Sequence, residues 1–229
     1  IGMFKGILDS SPDFNPDSFT PSGYFSTIYN SAGEVTDTLV GSNSNRIEAS
    51  YEDFPQDLID AFVSIEDSRF WQHSGIDLRS ISRAVVGVLT NNYKGGASTL
   101  TQQLAKNELF TQDKHLARKA AEMLAAFDLE KTYSKQQIFE MYANTIYFGS
   151  GYYGIAEAAE GYFGKEPAQL TDAEAIYLAG MPNAPSTYAS SPELAFKRMQ
   201  VVLKRMVKCR VLTQQQADAI AADAENLTV

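Results

Sequence analysis

From about residue 56 to near its end, the chain reads as helix, and three helix starts are marked by reciprocal capping boxes: Ser134-Lys-Gln-Gln137, Thr171-Asp-Ala-Glu174 and Thr213-Gln-Gln-Gln216. In each, a hydroxyl accepts from the backbone N–H three residues on. The amide or carboxylate at that third position bonds back to the cap's own N–H. No repeat of fixed period accompanies these signals, so a helical solenoid is not supported and a compact, mainly α domain is expected. Upstream, two short β-prone runs, residues 25–29 and 35–40, flank Asn30-Ser-Ala-Gly33 and predict a hairpin. Residues 1–23, rich in Ser, Pro, Asp and Asn, read as a tether. The expected organisation is a tether at 1–23, a hairpin lead-in at 24–53 and a helical body at 54–229.

Composition narrows the function. An apolar content of 44% in 229 residues can bury a core. A net charge of −9 argues against nucleic acid, which needs a basic surface, so any anionic ligand must be held by a local cluster. A single cysteine, Cys209, excludes an internal disulfide. His73 and His115 lack the spacing of a zinc motif. No apolar run is long enough to span a membrane, and the abrupt start at Ile1 reads as a segment of a longer protein.

Chemistry concentrates in three stretches. GGASTLTQQLAKN, residues 95–107, combines a glycine pair with Ser98, Gln102 and Lys106 at helical spacing, while Leu100 and Leu104 point elsewhere. The polar face suits a phosphate or a sugar near helix N–H groups, or it is an ordinary solvated face. Glu66 falls on the apolar stripe of Leu58, Phe62 and Ile65, and a partly desolvated carboxylate suits proton transfer near neutral pH. The alternative ends the helix there and turns Glu66 to water. Glu122 shares a helix face with Arg118, beside Lys119 and among Met123, Leu124, Phe127 and Leu129. That pattern is either an exposed ion pair or the cationic edge of an acid–base site.

These stretches carry a specific resemblance. EDSRFWQHSGID at 66–77, GGASTLTQQLAKN at 95–107, RKAAE at 118–122, the run at 135–165 and LAGMPNAPSTY at 178–188 resemble, in order, the five motifs of the family 51 peptidoglycan glycosyltransferases. The likeness spans residues 54–208. The hairpin lead-in is more similar to the N-terminal catalytic domain of class A penicillin-binding proteins than to single-activity members. No Ser-x-x-Lys occurs, so transpeptidase chemistry is not on this segment.

The resemblance implies a lysozyme-like helical domain with a smaller membrane-facing lobe at 78–95. It implies inverting, processive polymerisation of lipid II from a growing lipid-linked glycan. Glu66 resembles the general base. Glu122 resembles a second acid that helps the leaving pyrophosphate, directly or through a divalent ion, Mg2+ or Mn2+. Lys106 and Arg118 match cations placed against the donor pyrophosphate, with Lys119 alongside. Ser98, Thr99, Gln102 and Gln103 match the polar helix that contacts donor sugar and phosphates. Asn144 and Gly149 fall in the fourth motif as cleft-shaping positions, with Asn144 also a candidate for substrate contact. Asp67, Phe70 and His73 match in supporting roles. Asn183 stands where the family often carries Gln, and the basic residues of the helix at 193–208 read as a solvated face. Implied partners are lipid II, the membrane surface and a C-terminal transpeptidase domain, at the extracytoplasmic face of a bacterial membrane behind an N-terminal anchor. The rival readings are a lysozyme-like hydrolase or lytic transglycosylase and a catalytically silent binding domain.

Overall fold

The computed structural model describes residues 26–29, 35–39, 48–90, 98–109, 116–224 and 227–228. Two antiparallel strands, β1 (Ser26–Tyr29) and β2 (Val35–Leu39), form where the two β-prone runs predict a hairpin, with Ser26 opposite Leu39. The tether at 1–23 and the turn at 30–33 lie outside the described residues, as do Gly95, Gly96 and His115.

The body is helical. In chain order it comprises α1 (Gln56–Glu66), α2 (Leu78–Leu89), α3 (Leu100–Leu109), α4 (Leu116–Thr132) and α5 (Lys135–Thr145). A two-stranded ribbon follows, β3 (Tyr147–Gly149) with β4 (Tyr152–Tyr153). Then come α6 (Ile155–Phe163), α7 (Asp172–Gly180), α8 (Pro185–Ser190), α9 (Pro192–Lys208) and α10 (Gln214–Asp223). All three predicted capping boxes form, at Ser134 for α5, Thr171 for α7 and Thr213 for α10. Pro185 and Pro192 open α8 and α9 at the first helical position, where the missing N–H has no intrahelical partner to lose. Gly154 starts α6 at φ +86, and a Cβ there would lie 2.6 Å from the Asn144 carbonyl oxygen, so the turn needs glycine.

Helix α7 is the axis of the core. Every residue from Ala173 to Gly180 is buried, as expected of a helix that is apolar on all sides. It packs against α1 and α9, which also meet each other. A second nucleus is aromatic: Phe62 of α1 meets Phe139 and Tyr142 of α5 and Phe148 of β3, with ring centroids 5.9–6.2 Å apart. Burying such a ring stabilises by roughly 1.5–3 kcal/mol, and edge-to-face geometry adds about 0.5–1.5 kcal/mol per pair. Phe70 joins the same cluster, and Lys135 Nζ sits 4.4 Å above its ring. These ring contacts tie α1 to α5, and Glu66 sits in the last turn of α1.

Helix α2 differs. Asp77 caps it, accepting from the Arg79 N–H at 3.0 Å and the Ser80 hydroxyl at 2.6 Å. Burial alone would raise the Asp77 pKa, but these hydrogen bonds and the Arg69 charge outweigh it and hold the carboxyl below its usual value. Beyond the cap, Leu78 and Val86 stand 73% and 57% exposed. Among the described residues no helix is long and apolar enough to cross a membrane.

Candidate active site

A cleft of about 790 Å³ opens where α1 ends and α3 begins. Glu66, Asp67 and Ser68 form its floor. One wall comes from Ser98 to Lys106, one from Lys119 and Glu122 of α4, and one from Arg198 to Lys208 of α9. Pro182 and Asn183 close an end, and the Tyr188 hydroxyl holds the Asn183 side-chain oxygen at 3.1 Å.

The Asp67 carboxylate organises the floor. Its Oδ2 accepts from His73 Nε2 at 2.7 Å and from the Leu100 N–H at 3.0 Å, and both side chains are buried. A carboxylate only accepts, so Nε2 carries the imidazole proton. The sequence suggested an external anion at the start of this helix. In the structure Asp67 is that anion, so the first N–H of α3 is already engaged.

Thr99 and Gln102 are likewise engaged. Gln102 N–H donates to Thr99 Oγ1 at 3.1 Å, and Thr99 N–H donates to Gln102 Oε1 at 2.9 Å, a further capping box. Thr99 Oγ1 also donates to the Gly75 carbonyl at 2.6 Å, tying the helix start to the turn after His73. The helix begins at Leu100, and Leu100 and Leu104 are fully buried as the spacing predicts. Gln102 borders the cleft, and its buried Nε2 has no protein partner among the described residues. Among these residues, Ser98, Gln102 and Lys106 line the cleft together.

Glu66 lies at the junction of α1, α3 and α9, its side chain 19% exposed. Gln103 Nε2 donates to Oε2 at 3.1 Å, and Arg198 Nη2 stands 3.9 Å from Oε1. Glu122 is more deeply placed, 2% exposed. Lys119 Nζ bridges it at 2.8 Å to Ser98 Oγ at 2.9 Å, so one ammonium ties α4 to the approach to α3. Arg118 lies on α4, but its side chain is outside the described residues.

Phe70, His73, Asn144 and Gly149 lie apart from the cleft lining. Asn144 donates to the Ala49 carbonyl at 2.9 Å and accepts from the Ala49 N–H at 3.1 Å. Both ends of the amide are used to pin the segment before α1. Gly149 stands at φ +91, and a Cβ there would lie 2.5 Å from the Pro185 carbonyl oxygen, so it permits β3 to approach α8.

The basic helix read as a solvated face is corrected in part. Arg205 Nε donates to the Ser64 carbonyl at 3.0 Å and its Nη2 to Ser68 Oγ at 3.3 Å. Arg198, Arg205 and Lys208 line the cleft, whereas Lys197 pairs with Glu193 at the surface. The missed signal is the seven-residue step from Arg198 to Arg205 beside the buried Met199, Val202 and Met206. The described cleft residues comprise six cations and four carboxylates, a local positive excess in a chain of net charge −9. Such an excess favours anions over cations in the cleft.

The resemblance also implied a divalent ion at Glu122. Among the described residues no three of His, Cys, Asp or Glu converge, and the Glu122 carboxylate holds the Lys119 ammonium. The donor set does not fit a cation cage made from protein alone, and no chemical step below is routed through one.

The family described as Transglycosylase matches residues 32–207. A penicillin-binding protein 1A of Neisseria cinerea is 42% identical over 195 residues, covering 84% of this chain and 24% of the relative. One from Clostridium tetani is 36% identical over 228 residues, covering 95% and 29%. The crystal structure of penicillin-binding protein 1A from Haemophilus influenzae is 27% identical, covers 87% of this chain and 20% of that one, and superposes with a TM-score of 0.47. The chain thus spans about a quarter of the length of the curated relatives it matches. By the Transglycosylase match over most of its length, this chain belongs to the family 51 glycosyltransferases.

Proposed function

We propose that this chain is a peptidoglycan glycosyltransferase that polymerises lipid II into β-1,4-linked glycan by inverting, processive transfer. The growing lipid-pyrophosphate glycan is the donor and a lipid II monomer is the acceptor. One observation carries the reading: a half-shielded carboxylate, Glu66, shares a cleft with an excess of cations.

The acceptor 4-hydroxyl gives its proton to Glu66 while its oxygen bonds to the donor's anomeric carbon and the bond to pyrophosphate breaks. Negative charge grows on the departing oxygens. Cations set against that position, Lys106 and Lys119 with Arg118 on the same helix, stabilise the transition state more than the ground state. Glu122 holds the Lys119 ammonium toward Ser98, which fixes one of those charges in place. A glycoside hydrolase expels a sugar hydroxyl and gains little from such a cluster, so the charge balance favours transfer over the lysozyme-like alternative.

Both substrates carry lipid tails, and we assign the exposed Leu78 and Val86 face of α2 to the membrane surface, with the exposed Arg79 and Arg83 beside it. The reaction then takes place at the extracytoplasmic face of a bacterial membrane, with a transpeptidase domain of the longer protein as partner. Purified lipid II supplied in detergent with a divalent ion should become polymeric glycan, and a phosphoglycolipid of the moenomycin type should compete. Glu66→Gln should abolish polymer; polymer formed at the wild-type rate would remove Glu66 as the base.

A further inference from the structure

Gln103 falls in the polar helix matched to donor contacts, yet its side chain is turned toward the floor of the cleft. Its Nε2 donates to Glu66 Oε2 at 3.1 Å, and the Tyr142 hydroxyl donates to its Oε1 at 3.5 Å. The direction of this chain follows from chemistry. An ionised carboxylate has no proton to donate, so Gln103 must face it with the amide N–H2. The amide oxygen then points to Tyr142, which must supply the O–H. Tyr142 is fully buried, and burial, then the charges of Glu66 and Asp67, hold its phenol well above its ordinary pKa, so the proton stays on it. A reversed amide would set an oxygen against a carboxylate.

The two oxygens of Glu66 are therefore unequal. Oε2 is held by Gln103. Among the described residues, the charged group paired with Oε1 is the Arg198 guanidinium at 3.9 Å, beyond hydrogen-bond length. We propose that Gln103 is a positioning residue for Glu66: with the Tyr142 hydroxyl behind it, its amide fixes Oε2 and leaves Oε1 as the atom that takes the acceptor proton. The inference rests on the reading of Glu66 as general base. Gln102 serves as a contrast on the same helix, since its amide oxygen is committed to the Thr99 cap while its buried Nε2 has no protein partner among the described residues.

The experiment compares Gln103→Leu, Gln103→Met, Tyr142→Phe, the double variant Gln103→Leu/Tyr142→Phe and Glu66→Gln in steady-state polymerisation of lipid II. Thermal midpoints are recorded to confirm that each variant folds. Either Gln103 variant should lower kcat on the order of 10- to 100-fold, as expected when a reacting group loses its aim, with KM for lipid II held within about two-fold. Tyr142→Phe should act in the same direction by less. Because both residues act through one carboxylate, the double variant should be no slower than Gln103→Leu alone. A rise in KM with kcat retained would make Gln103 a substrate ligand and overturn the inference, as would fully additive losses in the double variant. Glu66→Gln separates the two levels. If it polymerises at the wild-type rate, the base assignment fails first. If it is inactive while the Gln103 variants change only KM, the positioning role alone is lost.

Discussion

Asp67 Oδ2 lies 2.7 Å from His73 Nε2 and 3.0 Å from the first backbone N–H of α3, so one buried oxygen joins the end of α1, the turn at His73 and the helix that walls the cleft. Asp67→Ala removes a charge-assisted cap and leaves a buried imidazole without its partner. Each such hydrogen bond contributes about 1.5–3 kcal/mol, so the loss should be about 3 kcal/mol in urea unfolding. Activity should fall because the helix start is displaced. A variant of wild-type stability with no polymerisation would give Asp67 a direct chemical role instead.

Lys106 and Lys119 separate charge from scaffold. Lys106 is exposed at the cleft edge, whereas Lys119 bridges Ser98 and the buried Glu122. Lys106→Ala should leave stability within about 0.5 kcal/mol, as for surface positions, while lowering kcat roughly 100-fold through lost stabilisation of the leaving group. Lys119→Ala should lower both, with stability down by about 1–3 kcal/mol. Paired measurement of unfolding midpoints and kcat tests the distinction, and equal stability losses at the two positions would refute it.

What could be read from sequence followed the range of the interaction. Ser134, Thr171 and Thr213 form their boxes because a cap involves only residues three apart, and no distant group competes there. The same pattern is present in Thr99-Leu-Thr-Gln102, a cap as local as the others and equally legible in the sequence. Asp67 at the start of α3 was not, since the bond spans 33 residues and depends on how α1 meets α3. Nor was the joining of Asn144 to Ala49, 95 residues apart, or of Arg205 to Ser64, 141 apart. Charged positions on a helix look solvated until the packing of its apolar side is known, and α9 turns Arg198 and Arg205 inward by burying Met199, Val202 and Met206.

Asn144 gives a prediction that divides folding from substrate binding. Its amide makes two hydrogen bonds to Ala49 in a buried setting. Asn144→Ala leaves the Ala49 N–H and carbonyl without these partners and should lower stability by about 2–3 kcal/mol, read as a shift in the urea midpoint. KM for lipid II should stay within about two-fold at a temperature where the variant is folded. A large KM change with unaltered stability would restore Asn144 to the substrate site.

Stability should also carry a pH signature far from the cleft. Asp57, in the first turn of α1, is pushed up to about 6 by burial, then by its hydrogen bond with Asp172 and by the charges of Asp172 and Asp60. Asp60 is itself raised by burial, partly offset by the Gln56 amide. The folded protein therefore holds the Asp57 proton more tightly than the unfolded chain, where the ordinary value is 3.8. The associated stability is fully present below pH 3.8 and is lost as pH rises through about 6. Asp57→Asn keeps the hydrogen bond to Asp172 without the charge, so above about pH 7 it should stabilise by about 1 kcal/mol, a figure reduced for solvent screening at a partly exposed site. The gain should vanish near about pH 4, where the wild-type carboxyl is protonated in the fold. Urea midpoints across this range decide the matter: parallel pH curves for wild type and Asp57→Asn would show that the Asp57–Asp172 pair carries no linked proton.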